Sequence, residues 1–326
     1  MPTPEWAERL LARDRDAVAP ALNLVDDTRP EAIEATRQLL DALESAALKR
    51  ALRVGITGAP GAGKSTLIDA LVRELRAQEQ TVGIIAVDPS SQRTGGALLG
   101  DRMRVRSGAS DPGVFLRSMA ARDRLGGLAD ATRAGVEILS AVFDWVIVET
   151  VGVGQSETDV THLVDTLAFV AQPAAGDILQ FIKAGILEWP DVFVVNKADL
   201  GPVAERSRVE LEASLGLGVA REDGWTPPVL LATARDGVGV EAVREAIESH
   251  RRHLEDGDGL AARRRRGRTG FVLETLEQRY GRFGLEGLGG RAALVERIET
   301  STTPTASLVA EIAGDIEGAL RDGKSR

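Results

Sequence analysis

The 326-residue chain has no cysteine, which excludes disulfides and thiolate metal centres and fits a reducing compartment. Aromatic residues make up only 4% against 43% hydrophobic residues overall, so a core must come mainly from Leu, Val, Ile and Ala. No apolar run approaches the roughly 20 residues needed to cross a bilayer. Residues 1–30 carry Glu5, Glu8, Asp14 and Asp16 and lack an apolar stretch of the signal-peptide kind, so the expected location is cytoplasmic. The formal net charge of −9 sets the protein as a whole against nucleic acid and anionic membranes as partners. Histidine is nearly as rare: His250 and His253 lie three apart, without the carboxylate or thiolate company a metal site needs. Lysine occurs only at Lys49, Lys64, Lys183, Lys197 and Lys324 in a chain otherwise inclined to arginine. Where such a chain keeps lysine, a compact ammonium rather than a planar fork is a reasonable requirement.

What is present is organised around Val54–Thr66, in which a β-branched run enters Gly58-Ala59-Pro60-Gly61-Ala62-Gly63-Lys64-Ser65-Thr66 and an amphipathic pattern follows to about Arg76. Strand, Gly-x-x-x-x-Gly-Lys-Ser and helix in that order are the context of a phosphate-binding loop. Its glycines let backbone N–H groups turn inward around an anion, and the helix N-terminus adds a favourable dipole. Lys64 is expected to reach the β- and γ-phosphates, and Ser65 to take a position on Mg²⁺.

Residues 4–48 read as helices, with Thr28-Arg29-Pro30-Glu31 resembling a capping box and Ile33, Leu40, Leu43 and Ala47 forming an apolar stripe. From Leu52 the pattern alternates. Strands are expected at 52–57, 81–88, 144–150, 166–172, 192–196 and 228–232, and helices at 65–77, 128–142, 177–187, 203–214 and 239–250. This alternation predicts an α/β fold: a doubly wound, mostly parallel sheet of the P-loop NTPase kind. The run Arg263–Arg268 reads as a solvated linker or a helix start, and 269–282 and 291–322 read as helices separated by Gly284–Gly290. The expected organisation is an N-terminal helical extension over 1–48, a nucleotide domain over 49–252 and a C-terminal helical arm over 253–326, the last suited to docking or oligomerisation.

Four further stretches carry chemistry. Ile84-Ile85-Ala86-Val87-Asp88 places a carboxylate at a strand end, where it can hold Mg²⁺ or its waters; the alternative is a helix cap or an Asx turn. Asp101, in Gly95-Gly96-Ala97-Leu98-Leu99-Gly100-Asp101, offers a second acid with no spacing rule behind it. Trp145-Val146-Ile147-Val148-Glu149 ends in another strand-end acid, which can bind Mg²⁺ through water or orient the attacking water. Gly152 can then meet a γ-phosphate through its N–H, and Gln155 is a weaker candidate for positioning water. Asn196-Lys197-Ala198-Asp199 follows a strand and chooses the base. Two acceptor oxygens on Asp199 match the N1–H and 2-amino donors of guanine, whereas adenine presents an acceptor there. The Lys197 stem stacks on the purine, and Thr233-Ala234 is a candidate backbone contact to the guanine oxygen. Together these residues predict GTP hydrolysis with Mg²⁺, with GTP or GDP bound, by positioning and charge neutralisation. Arg93, Arg102 and Arg104 are the arginines near enough to assist.

Asp88-Pro-Ser-Ser, Thr94–Asp101, Leu125–Leu128, Glu149–Glu157, Gly176–Gln180 and Asn196–Asp199 resemble the MeaB/ArgK family of GTPases, which includes the human methylmalonic aciduria type A protein. The resemblance implies a SIMIBI-class G domain in a homodimer that chaperones an adenosylcobalamin-dependent acyl-CoA mutase, typically methylmalonyl-CoA mutase, gating cofactor loading and protecting the enzyme. It implies that Asp88, Asp101 and Glu149 are the magnesium and catalytic acids. It also implies a further switch from Gln172 to Glu188, containing Lys183. The chain departs from the family pattern at Leu200-Gly201, where glycine commonly follows the aspartate directly, and at Ala174, where glycine is usual. A metallochaperone GTPase and a nucleotide-dependent kinase are the competing readings.

Overall fold

The computed structural model describes residues 3–47, 51–89, 111–121, 127–150, 160–173, 188–216, 221 and 223–323. The helix expected at 177–187 lies outside them. The described chain divides into two compact units that are not contiguous in sequence: Leu52–Met119 with Asp144–Arg263, and Met1–Ala51 with Ala120–Phe143 and Arg264–Arg326. These boundaries differ from 48/49 and 252/253, and they place residues 120–143, expected inside the nucleotide domain, with the helices of both termini.

The first unit is built on seven strands: β1 (Leu52–Thr57), β2 (Val82–Pro89), β3 (Val114–Ala121), β4 (Trp145–Glu149), β5 (Thr166–Ala171), β6 (Val192–Asn196) and β7 (Val229–Ala232). They lie in the order β3-β2-β4-β1-β5-β6-β7. β1 pairs in parallel with both β4 and β5, β2 with β4, β5 with β6, and β6 with β7. Parallel strands need long crossovers and end up covered on both faces, which is why β1, β5 and β6 are buried at every position. Alternate side chains of β5 and β6 serve opposite faces. Ala168, Val170, Val192 and Val194 join Leu67, Ile68 and Leu71 of α4 (Lys64–Ala77) and Val243 and Ile247 of a later helix (Val240–Glu255). Phe169 and Phe193 turn the other way, their ring centroids 5.9 Å apart, and pack with Ala59 and with Ala204 and Leu211 of the helix Pro202–Gly216. β3 is missing from the sequence expectation. Most of its described side chains are only half-buried, so the edge position weakens the hydrophobic pattern that would betray it.

The second unit contains α1 (Thr3–Leu11), α2 (Val18–Asp26), α3 (Pro30–Ala47), α5 (Gly127–Val142) and three C-terminal helices, Gly259–Glu286 beyond its first turn, Gly290–Thr300 and Thr305–Gly323. The buried face of α3 is Ala32, Leu39 and Leu43; Ile33, expected in the stripe, is 58% exposed, because the face lies one position to its side. Before α3 it is the Asp27 carboxylate that accepts the Arg29 N–H at 3.0 Å. Phe271, Leu276, Leu294, Leu308, Ile312 and Ile316 form a common core for the C-terminal helices. The expected helix 291–322 is broken at Ser301–Pro304, since the residue before a proline is turned away from helix. The separation expected over Gly284–Gly290 is found between Glu286 and Gly290, and the long helix before it is also kinked at Gly281, with φ 65° and ψ 178°.

The arginine run sits inside that long helix, so a helix start and not a linker is what forms. Arg263 grips Asp191 with both nitrogens, at 3.1 and 2.6 Å. Arg264 donates to the carbonyl of Ala51 at 3.2 Å, and Arg268 to those of Ser301 and Thr303. Planar forks suit such carboxylate and carbonyl targets. Among the described residues no helix is long and apolar enough to cross a membrane.

Candidate functional site

At the carboxyl end of β1 the chain leaves Thr57 and wraps into the loop Gly58–Gly63 before α4 begins at Lys64. The central place of β1, with β4 on one side and β5 on the other, is where a doubly wound sheet opens a crevice. Two glycines are dictated by space as well as by backbone. Gly58 has φ 136°, and a Cβ there would lie 2.1 Å from the Val170 carbonyl oxygen; Gly63 has φ 93°, and its Cβ would lie 2.3 Å from Asn196 Nδ2. The two alanines hold the loop down, Ala59 against the Phe169–Phe193 cluster and Ala62 against the α4 side of the sheet. Gly63 caps α4 without a side-chain acceptor, leaving the helix end in the form that receives an anion.

Lys64 opens that helix. It is buried, and its ammonium donates to Gly58 O at 2.7 Å and Ala59 O at 3.2 Å, folded over its own loop. Ser65 Oγ donates to Glu149 Oε1 at 2.6 Å, so the loop hydroxyl and the acid ending β4 meet directly. Behind them Thr150 Oγ1 donates to Thr57 Oγ1 at 3.0 Å, both residues buried. Asp88 lies at the end of β2, two residues beyond Ala86, the register partner of Glu149. Asp101, Gly152, Gln155, Lys183, Arg93, Arg102 and Arg104 fall outside the described residues.

The second half of the pocket follows β6. Asn196 Nδ2 donates to Ala62 O at 2.9 Å, and its Oδ1 accepts the Ala234 N–H at 3.1 Å. Asn196 therefore braces the phosphate loop and the turn after β7 against each other. Lys197 adopts the left-handed conformation (φ 59°), and its ammonium reaches back to Gly61 O at 2.8 Å and Gln172 Oε1 at 2.7 Å. Asp199 stands half-exposed in the short 3₁₀ turn Ala198–Leu200, with Arg235 NH2 3.8 Å from its carboxylate. Thr233 and Ala234 both have their N–H groups engaged, with Val238 O at 2.9 Å and Asn196 Oδ1. Gln172 and the Thr57–Thr150 pair are participants that sequence reasoning did not single out by chemistry. Their signal was position, immediately after β5 and at the ends of β1 and β4. The three motifs, some 130 residues apart between first and last, thus converge at one edge of the sheet.

A phosphate loop at the centre of a mostly parallel sheet, tied through Asn196 and Lys197 to the segment that follows β6, is the arrangement of a P-loop GTPase. The sequence matches the family model described as methylmalonyl Co-A mutase-associated GTPase MeaB over residues 18–281, and the chain belongs to that family. A putative GTPase of Pyrococcus horikoshii is 45% identical over 267 residues, covering 81% of this chain and 82% of its own. The GTPase ArgK of Escherichia coli is 38% identical over 246 residues, 74% of each chain. The mouse methylmalonic aciduria type A homolog, a mitochondrial protein, is 33% identical over 267 residues, 78% of this chain and 64% of that one. A crystal structure described as an LAO/AO transport system kinase superposes with a TM-score of 0.71 at 28% identity, covering 95% of this chain and 96% of its own.

Proposed function

We propose that this MeaB-family GTPase serves as the nucleotide-driven chaperone of an adenosylcobalamin-dependent acyl-CoA mutase of the methylmalonyl-CoA type, gating cofactor loading and protecting the enzyme. The observation that carries the proposal is the family match across residues 18–281. The pocket supports the nucleotide half. The backbone of Gly58–Thr66 cradles the phosphates, and Lys64 exchanges its two carbonyl partners for the β- and γ-phosphate oxygens. Asp199 reads the guanine edge, with the Lys197 stem against the ring and the 233–234 turn beside it. Asn196 acts through the two loops it joins.

Magnesium is the cation this donor set fits: a hydroxyl and a carboxylate, Ser65 and Glu149, stand within hydrogen-bond distance of each other at the phosphate loop. Ser65, Glu149, Asp88 and Asp101 would hold it, directly or through water, and when bound it neutralises charge on the transferring phosphoryl group. Lys64 adds its own charge to the same task, Glu149 is the candidate to orient water, and the Gly152 N–H the candidate to sense the γ-phosphate. Catalysis then rests on positioning rather than on a covalent step, in keeping with slow turnover that a partner accelerates. The C-terminal arm, residues 253–326, is assigned to a homodimer. A metal-delivering role fits less well, since the chain lacks cysteine and His250 is buried beside Thr166.

The test is GTP turnover alone and with the acyl-CoA mutases of the source organism. Acceleration by one mutase, with phosphate released only as the inorganic ion, is expected. No acceleration by any of them removes the chaperone reading, and phosphate transfer to a small acceptor would favour a kinase. Asp199→Asn checks the base pocket separately: guanine preference should fall and xanthine nucleotides, whose 2-oxygen suits an amide donor, should gain, and unchanged selectivity would overturn the assignment of Asp199.

A further inference from the structure

Gln172 is the first residue after β5, and its carboxamide oxygen is the nearest acceptor of the Lys197 ammonium, at 2.7 Å. The same ammonium donates to Gly61 O at 2.8 Å. A lysine side chain has roughly 2 kcal/mol of rotamer entropy to lose when it is fixed, so a half-buried lysine held at both contacts is held by something specific. The left-handed backbone at Lys197 starts the side chain back toward the phosphate loop, and Gln172 and Gly61 define where it stops. We propose that Gln172 is a positioning residue of the guanine pocket: it fixes the Lys197 ammonium so that the lysine stem is a preset platform for the purine ring. The inference rests on the assignment of this pocket to a guanine nucleotide.

The chemistry of the acceptor matters. A Cβ at Gly61 would lie 4.0 Å from Gln172 Oε1, so this oxygen borders the phosphate loop. A carboxylate in its place would also hold the ammonium, but it would set a negative charge beside the phosphates. A neutral carboxamide can fix the lysine without that repulsion. The binding advantage is preorganisation: a stem already immobilised does not lose its freedom again when the base arrives.

Gln172→Met keeps the length and removes the strong acceptor. Its affinity for GDP should fall about fivefold, the cost of ordering one long side chain. Its affinity for inorganic tripolyphosphate with Mg²⁺, a probe that has no base, should stay at the wild-type value. In a Lys197→Ala background the same change should have no further effect on GDP, because the group it positions is gone. Gln172→Glu should weaken GDP and tripolyphosphate together while keeping the wild-type ratio between them, the loss shrinking as salt rises. Equal losses for GDP and tripolyphosphate in Gln172→Met, or full additivity with Lys197→Ala, would overturn the role. Wild-type protein that binds tripolyphosphate but does not prefer GDP to ADP would instead sink the guanine pocket itself, leaving a result plainly different from a failure of Gln172.

Discussion

The two edges of the sheet solve the same problem with different chemistry. At the amino edge, each of three strands is preceded by an aspartate that accepts from the first residues of a neighbouring strand. Asp144, before β4, takes the Thr81 N–H and hydroxyl at 2.9 and 2.7 Å; Asp165, before β5, takes the Arg53 N–H at 3.2 Å; Asp191, before β6, takes the Leu167 N–H at 2.8 Å. Arginines close on Asp165 and Asp191, Arg251 on the first at 2.8 Å and both Arg263 and Arg221 on the second. At the carboxyl edge neutral partners are prominent: Lys64 donates to two carbonyls, Lys197 to a carbonyl and a carboxamide, and Glu149 accepts from a hydroxyl, while Asp199 has Arg235 3.8 Å away at the rim. Charge against charge in a buried place fixes register and is hard to undo. Charge against a carbonyl is readily exchanged for charge against a phosphate. Stability and function are therefore expected to separate by edge.

The sharpest way to break that comparison is Asp191→Ala. Asp191 is fully buried, and removing it leaves Arg263 and Arg221 facing each other without their shared anion. A loss of about 3–5 kcal/mol is expected in urea denaturation, with GDP affinity per folded molecule unchanged. A parallel fall in affinity would mean the edges are not independent. Lys64→Ala is the converse. GTP turnover should drop at least about 100-fold while the denaturation free energy stays within about 1 kcal/mol of wild type. Normal turnover would refute the phosphate site.

The carboxyl edge was far more legible in the sequence than the amino edge, and the reason is physical. Gly58, Gly63, Lys64 and Asn196 are constrained by backbone conformation, by close approach and by ligand chemistry all at once, which forces a compact pattern readable within a few residues. Asp144, Asp165 and Asp191 act on a neighbour in space that is far along the chain, so none of them alone shows what it holds. Their common signal, aspartate immediately before Trp145-Val146-Ile147, Thr166-Leu167-Ala168 and Val192-Phe193-Val194, emerges only when the three strands are aligned. The grouping of 120–143 with the terminal helices is invisible for the same reason: periodicity shows that a helix has an apolar face, not what covers it. In Arg263–Arg268 the helix start was legible but the anchoring of Arg263, Arg264 and Arg268 was not, because composition does not show what a guanidinium meets.

A pH series sharpens the comparison at a third site. His250 lies buried at the amino edge, its Nδ1 2.8 Å from Thr166 Oγ1, its ring 4.9 Å from that of Trp225 and its Nε2 3.5 Å from Asp191. Burial, helped by Arg263 and Arg221 and opposed by Asp191 and Asp223, pulls its pKa from 6.5 down to about 4. The unfolded chain therefore takes up this proton first. The stability that neutral His250 contributes is complete above pH 6.5 and is lost as pH falls toward 4, by roughly 3 kcal/mol at the lower end. His250→Phe should flatten the fall between those values relative to wild type in denaturation at pH 7.5, 6, 5 and 4, apart from any constant offset. Identical slopes in the two proteins would remove His250 as the cause.

The smallest expected effect probes the hydroxyl bond that ties two loops together at the carboxyl edge. Thr150 Oγ1 donates to Thr57 Oγ1 at 3.0 Å, and the Thr150 N–H donates to Ile56 O at 3.1 Å, so the starts of the phosphate loop and of the segment after Glu149 are tied by a backbone bond and a hydroxyl bond. Valine at either position keeps shape and removes one hydroxyl. A double-mutant cycle between Thr57→Val and Thr150→Val should give a coupling of about 0.5–1.5 kcal/mol in stability, with the double variant less destabilised than the sum of the singles, since an abandoned buried hydroxyl costs more than an absent pair. If the hydroxyl bond also aligns Glu149 with Ser65, each single variant should slow GTP turnover by a few-fold at unchanged GDP affinity, an effect on the reacting end of the nucleotide alone. Coupling in stability without any change in turnover would leave the pair a purely structural tie, and the carboxyl edge would then share with the amino edge a function of holding strands in register.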